Sequence, residues 1–322
     1  MEINQRIVKI GQGVCPVCHG AERVEFEHFG DFVLYKCADC DLVYSYPMRS
    51  MSERDYAEMY GGRGFHEGFA SSLSTGQVFF FKRNKIGTEK KLLDVGTSTG
   101  LFVHEALRRG FKTVGTETDP TALFASRQMF PEISVENASL GELRGRGEKF
   151  DIITLFEVLE HVENPTLILK EVVGLLRQGG KIIIFVPNRK RTPPLYREMI
   201  DRGIDFPPHH LTKWSVRSLS VALRNAGANV IFIRDIGKYH FSIVPGLGIA
   251  SKVRGMISNK ESLGDLSIGV SKKKDALRSV YSVLAKLRLL ADKILFFPVD
   301  IFWRAKGYEK DGLYLEAVSG NA

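Results

Sequence analysis

At 322 residues, with 44% hydrophobic and 25% charged side chains, the chain has the makeup of a folded protein and room for one large core plus a small satellite domain. No apolar run approaches the roughly 20 residues of a membrane-spanning helix, and the opening MEINQRIVKIGQG lacks the apolar stretch of a secretory signal, so a cytoplasmic location is expected. The net charge of +8 suits an acidic partner such as a phosphosugar, an anionic lipid surface or a nucleic acid, without choosing among them.

All four cysteines fall in the first 40 residues, as Cys15-Pro16-Val17-Cys18 and Cys37-Ala38-Asp39-Cys40, with 18 residues between the pairs. Thiolates at i and i+3 on a tight turn can face one ion, and two such turns complete a tetrahedron. The intervening stretch alternates in the manner of a short hairpin, which would bring the two turns together. Four protein ligands leave no open position, so a structural zinc is expected on a ribbon spanning residues 1–47. A disulfide pair is disfavoured by the missing signal and by doublets too short to close unstrained bridges. His19 and His28 are left over as exposed residues.

Residues 48–89 are expected to supply connecting helices. They contain Tyr56 and Tyr60 and the glycine-rich stretch at 61–64, which is either a hinge or a plain loop. The run LLDVGTSTG at 92–100 then breaks from an apolar strand into a glycine-punctuated turn, and LFVHEALRRG follows with helical spacing. A second apolar run ends on Glu117. A strand, a tight turn, a helix and a carboxylate about 20 residues on suit a nucleotide-like cofactor. The turn is neither the pyrophosphate-binding GxGxxG nor a P-loop, so a cofactor with a ribose and no pyrophosphate fits better. Gly96-Thr97-Ser98-Thr99-Gly100 also spells the GxSxG of a hydrolase nucleophile elbow. Asp205 and His209 could complete such a triad, yet an oxyanion loop is missing upstream.

From these residues the chain resembles the class I S-adenosylmethionine-dependent methyltransferases. The family's Asp/Glu-x-Gly-x-Gly-x-Gly motif stands as Asp94-Val95-Gly96-Thr97-Ser98-Thr99-Gly100, with Ser98 replacing the middle glycine. FDIITLFEVLEHV at 150–162, LLRQGGKIIIFVPN at 175–188 and PPHHLTKWSVRSLSVALRNAGANVIFI at 207–233 resemble later elements of the family, in order. The resemblance implies an α/β fold, a doubly wound, seven-stranded, mostly parallel sheet with a core over 90–240. It also implies a last antiparallel strand within 312–322. Gly96, Ser98 and Gly100 would line the methionine end of the cofactor, Glu117 would hold the ribose, and Asp94 counts among the cofactor-binding residues. Thr118 or Asp119 would border the adenine, with Asn137 and Ala138 after the third strand. Phe156 and Glu157 would close the pocket. A ribbon followed by such a domain resembles a bacterial branch acting on sugars or small metabolites. In that branch the Tyr56–Tyr60 helix packs over the pocket; simple anchoring of the helix to the core stays open.

The insert at 241–311 is too long for a bare loop. Leu277, Tyr281, Leu284, Leu287, Ala291 and Ile294 make an apolar helical stripe flanked by Lys272, Lys273, Lys274, Arg278, Lys286, Arg288 and Lys293. Residues 272–297 either cover the substrate pocket or a homodimer face, or rest on an anionic membrane at its inner surface.

Methyl transfer from a sulfonium is an in-line displacement in which alignment carries much of the rate. A hydroxyl acceptor also needs a base, and His210 and His161 are the candidates. Their structural alternatives are a loop-locking or helix-capping histidine for His210, and a partner of Glu160 or a neighbouring loop for His161. The expected activity is O-methylation of a small-molecule or carbohydrate-like acceptor. A noncatalytic methyltransferase-fold binding or membrane-recruiting protein is the alternative that Ser98 keeps open. No nucleic-acid acceptor is expected: the ribbon is not notably basic and the Asn/Asp-Pro-Pro-Tyr/Phe motif is absent.

Overall fold

The computed structural model describes residues 14–52, 55, 72–85, 89–191, 205–237, 307 and 309–320. The Tyr56–Tyr60 helix, the glycines at 61–64 and the stripe within 272–297 lie outside the described residues.

Two sheets organise the chain. The smaller begins with β1 (Arg23–Phe29) and β2 (Phe32–Cys37), an antiparallel hairpin closed by Gly30 and Asp31. Gly30 adopts φ +55°, the left-handed backbone that two-residue hairpin turns require. β3 (Val43–Tyr46) follows, and the sheet ends on a short strand from far along the chain, β9 (Thr212–Lys213), in the order β1-β2-β3-β9.

The larger sheet uses β4 (Lys91–Val95), β5 (Lys112–Thr116), β6 (Val135–Glu136), β7 (Phe150–Phe156), β8 (Leu176–Pro187), β10 (Ala228–Ile236) and β11 (Gly312–Ser319). Their order is β10-β11-β8-β7-β4-β5-β6, and β11 alone runs against its neighbours. This is the mostly parallel seven-stranded sheet expected from the sequence. Its central strands are buried on both faces, which is why β8 reads as the unbroken apolar run IIIFV. Side chains alternate between two cores: Ile182, Ile184 and Val186 enter one, Ile183 and Phe185 the other.

Six helices cover the sheet among the described residues: α1 (Thr75–Arg83), α2 (Leu101–Arg108), α3 (Pro120–Met129), α4 (Leu140–Gly145), α5 (Pro165–Leu175) and α6 (Val216–Asn225). Several start where the sequence places a cap. Ser74 and Ser139 form capping boxes with Gln77 and Glu142, and Asp119 and Asn164 cap helices whose first residue is proline. α1 and α2 bury a phenylalanine cluster in which Phe102 and Phe156 meet edge to face at 4.8 Å.

The four-cysteine module is not a free appendage. Cys15, Cys37, Cys40, Leu42 and Tyr44 belong to the same apolar core as Leu93, Leu155, Leu169 and Trp214. Thr166 Oγ1 donates to the Pro16 carbonyl at 2.7 Å and Asn225 Nδ2 to that of Val17 at 2.9 Å. Phe29 stacks on Phe206 with centroids 4.6 Å apart.

Candidate functional site

The parallel strands β4, β5, β6 and β7 end on one edge of the sheet, the edge where open α/β sheets bind ligands. Leaving β4, the backbone takes left-handed conformations at Gly96 (φ +69°), Ser98 (φ +52°) and Gly100 (φ +82°), and Gly100 caps α2. A Cβ on Gly96 would come within 2.9 Å of Val158, and one on Gly100 within 2.4 Å of Ile133. Val158 and Ile133 therefore leave no room for a side chain at either position of the turn. Ser98 accepts a conformation that favours glycine. Ser98→Gly is expected to be tolerated with little change in melting temperature, whereas Ser98→Val should destabilise by about 1–3 kcal/mol in thermal unfolding.

Glu117, at the end of β5, closes on this turn. Its Oε2 accepts from Ser98 N at 2.8 Å, and its Oε1 from Thr118 N at 2.7 Å and Asp119 N at 3.0 Å. Asp94 lies beneath the turn, 2% exposed, where its Oδ1 accepts from Thr154 Oγ1 at 2.6 Å. Burial pushes its pKa up to about 7, against the lowering effect of the hydrogen bond from Thr154. Asp94 thus braces the turn from the core side. Thr118 and Asn137 are exposed at the ends of β5 and β6, and Ala138 is buried beside Asn137. Phe156 is buried in the phenylalanine cluster, while Glu157 is exposed with φ +58°. The strand ends bring these predicted positions to a common edge.

A second constellation forms past the ends of β7 and β8. Leu211 N and Thr212 N both donate to the Glu160 carbonyl, at 2.7 and 3.3 Å, which locks the loop before β9 onto the turn after β7. His161 and His210, the two predicted candidates, come together with ring centroids 4.8 Å apart. His209 joins them, 4.6 Å from His161 and stacked 4.7 Å from His210. His161 Nδ1 lies 2.8 Å from the His209 carbonyl, so this nitrogen carries the proton and donates.

Asp205 sets the state of His210. Its Oδ1 lies 3.0 Å from His210 Nδ1 and 2.5 Å from Arg191 Nη2, and its Oδ2 lies 3.4 Å from Lys213 Nζ. Burial alone would raise the Asp205 pKa. The hydrogen bond with His210 and the charges of Arg191 and Lys213 overcome it and hold the carboxyl well below the usual range. An ionised Asp205 can only accept, so His210 donates from Nδ1. Burial lowers the His210 pKa below its ordinary value despite Asp205, leaving the ring neutral near pH 7 with Nε2 unprotonated. His210 lines a small cavity with Pro187, Asn188, Arg191 and Lys213. Arg191, Lys213 and the pairing of Asp205 with His210 were not legible in the sequence; adjacent histidines after Pro208 were the visible trace.

The four cysteines converge as their spacing predicts. Cys15 and Cys40 Sγ are 3.5 Å apart, Cys18 and Cys37 Sγ 3.4 Å, and all four sulfurs lie within 4.8 Å of one another without a disulfide. Sulfurs around a zinc ion with bonds of about 2.3 Å stand about 3.8 Å apart, so the set fits. Both turns close on a left-handed residue one place past the second cysteine, His19 (φ +58°) and Asp41 (φ +67°). Among the crowded thiols, the interaction of Cys15 with Cys37 pulls Cys37 down to about 2 and pushes Cys15 up to about 12. Four thiolates this close need a cation to ionise together.

Residues 72–232, half of the chain, match the family described as "Methyltransferase domain". Curated relatives include the ubiquinone biosynthesis O-methyltransferase of Glaesserella parasuis, 32% identical over 34% of this chain and 50% of that protein. Its namesake from Acinetobacter baumannii is 27% identical over 48% of this chain and 68% of that protein. The chain spans about half the length of the first curated relatives it matches. A solved S-adenosylmethionine-dependent methyltransferase from Archaeoglobus fulgidus is 16% identical, at TM-score 0.43, over 76% of this chain and 94% of its own. The YcgJ protein of Bacillus subtilis is 13% identical, at TM-score 0.45, over 76% and 97%. At those scores the fold assignment rests on the sheet order and the family match.

Proposed function

The chain belongs to the methyltransferase-domain family, and from that premise we propose that it is an S-adenosylmethionine-dependent enzyme that methylates a hydroxyl of a small-molecule or carbohydrate-like acceptor. The observation that carries this reading is His210, kept neutral and oriented by Asp205 at the ends of β7 and β8. Relatives named as O-methyltransferases point the same way. Bound S-adenosylmethionine supplies an electrophilic methyl group on a sulfonium.

The remaining work belongs to the protein. The left-handed turn through Gly96, Ser98 and Gly100 would meet the methionine end, and Glu117 would receive the ribose hydroxyls. A carboxylate has about four acceptor positions, and three backbone donors now hold Glu117, so a diol donating twice displaces one of them. His210 Nε2 takes the acceptor proton as its oxygen attacks, and Asp205 stabilises the imidazolium that forms. His161, its Nδ1 fixed by the His209 carbonyl, orients the loop. Cys15, Cys18, Cys37 and Cys40 would hold a structural zinc that ties their two turns together.

Calorimetric titration of zinc-loaded protein with S-adenosylhomocysteine tests the cofactor half. Binding is expected in the wild type, and Glu117→Ala should weaken it by about 3 kcal/mol, on the order of a hundredfold. Unchanged affinity in that variant would remove Glu117 from the site. Labelled-methyl transfer to a panel of hydroxylated metabolites and sugars tests the acceptor half. Product carrying a new N-methyl or C-methyl group, with no O-methyl ether, would overturn it.

A further inference from the structure

We infer that His161, His209 and His210 form a second metal site, for a divalent transition-metal ion. Their three ligating nitrogens lie within 4.8 Å of one another. Imidazoles sharing one ion at about 2.0–2.1 Å stand about 3.3 Å apart, a contraction that side-chain rotation supplies. Two of the three rings are already oriented as metal ligands are. His210 presents Nδ1 to Asp205 and His161 presents Nδ1 to a backbone carbonyl, so in each the other nitrogen is the one left to bind. Ligating histidines are held in this way by a carboxylate or carbonyl behind them.

His209 and His210 are 6% and 7% exposed, so the cluster sits largely out of water. Glu160, one residue before His161, is 1% exposed and neither of its carboxylate oxygens has a hydrogen-bond partner. A cation nearby would offset the cost of burying that acid. His161 is only half-buried, which leaves the cluster a route to solvent. Histidine nitrogens without sulfur favour cobalt, nickel, copper or zinc over magnesium or calcium.

The ion and the acceptor proton both need Nε2 of His210, so an occupied site and an active base exclude each other. That exclusion rests on the base role proposed above; the site itself does not.

The test uses full-length protein with the cysteine cluster filled with zinc, titrated with Co2+ and followed by visible absorption. The expected result is one equivalent of cobalt with ligand-field bands and no sulfur-to-cobalt charge-transfer band, weakened on the order of a hundredfold in His209→Gln. Absence of ligand-field bands at millimolar Co2+, undiminished binding by His209→Gln, or a charge-transfer band marking exchange into the cysteines would each overturn the site. Should His209→Gln fail to fold, Cu2+ on the wild type decides. Nitrogen hyperfine splitting from three imidazoles supports the site, and splitting from one nitrogen or none overturns it. Failure here leaves the base role standing, because that role is read from transfer rates on metal-free histidines.

Discussion

Stripping the proposed zinc from the four-cysteine cluster is expected to lower the stability of the whole molecule in a single cooperative transition. Structural zinc in small cysteine modules contributes apparent binding energies of about 10–16 kcal/mol, as large as the roughly 5–15 kcal/mol that holds a typical domain folded. Here the module shares its core with the large sheet: Cys15, Cys37 and Cys40 are at most 1% exposed and pack in one cluster with Leu93, Leu155 and Trp214. β3 pairs with β9, and Ser45 N donates to the Leu211 carbonyl at 2.9 Å, one residue beyond His210. Losing the ribbon therefore loosens the loop that carries the histidines. Calorimetry on chelated protein and on Cys37→Ser should show one transition at markedly lower temperature. Two separate transitions, with the later one unmoved, would mean that the ribbon unfolds independently.

Replacing His210 should be the largest purely chemical loss. Removing a general base typically costs about 10²–10⁴ in rate, so His210→Gln is expected to lose that much transfer to any acceptor on which the wild type turns over. Affinity for S-adenosylhomocysteine should stay within about twofold, because the glycine turn and Glu117 lie on other strands. Asp205→Asn should also fall sharply. Asparagine can donate to Nδ1, which favours the tautomer with the proton on Nε2 and removes the lone pair that takes the acceptor proton.

The pH profile gives the same claim a sign. The His210 pKa is lowered, so the active neutral form persists as pH falls below about 6.5, and the acid limb of kcat/KM should lie on the acid side of that value. Stability follows the same direction. Below about 6.5 the unfolded chain takes up protons that folded His161 and His210 refuse, so their contribution is full above that pH and is lost as pH falls toward their folded values. An acid limb above pH 6.5, or a rate for His210→Gln within a few fold of wild type, would assign proton removal elsewhere.

What the sequence determined by itself is local. Two thiols three residues apart on a turn announce a ligand pair, and the spacing of Cys15, Cys18, Cys37 and Cys40 is realised as expected because a hairpin of two short strands joins them. The strand, glycine turn and helix from Lys91 onward, with Glu117 one strand later, were legible because each geometric requirement falls within one supersecondary unit. The unbroken apolar run IIIFV of β8 likewise marks a strand buried on both faces before any contact is known.

Tertiary structure decided the rest. The pairing of β3 with β9 joins residues near 44 to residues near 212, and a two-residue strand carries no periodicity to announce it. His161 meets His209 and His210 across about 50 positions of chain, through two backbone hydrogen bonds to the Glu160 carbonyl. Neither that contact nor the Arg191–Asp205–Lys213 setting leaves a local pattern. Charge state followed from the same cause. A histidine near neutral pH is set by what surrounds it, and burial beside Asp205, Arg191 and Lys213 exists only once the loop after Asp205 has closed onto the turn after β7.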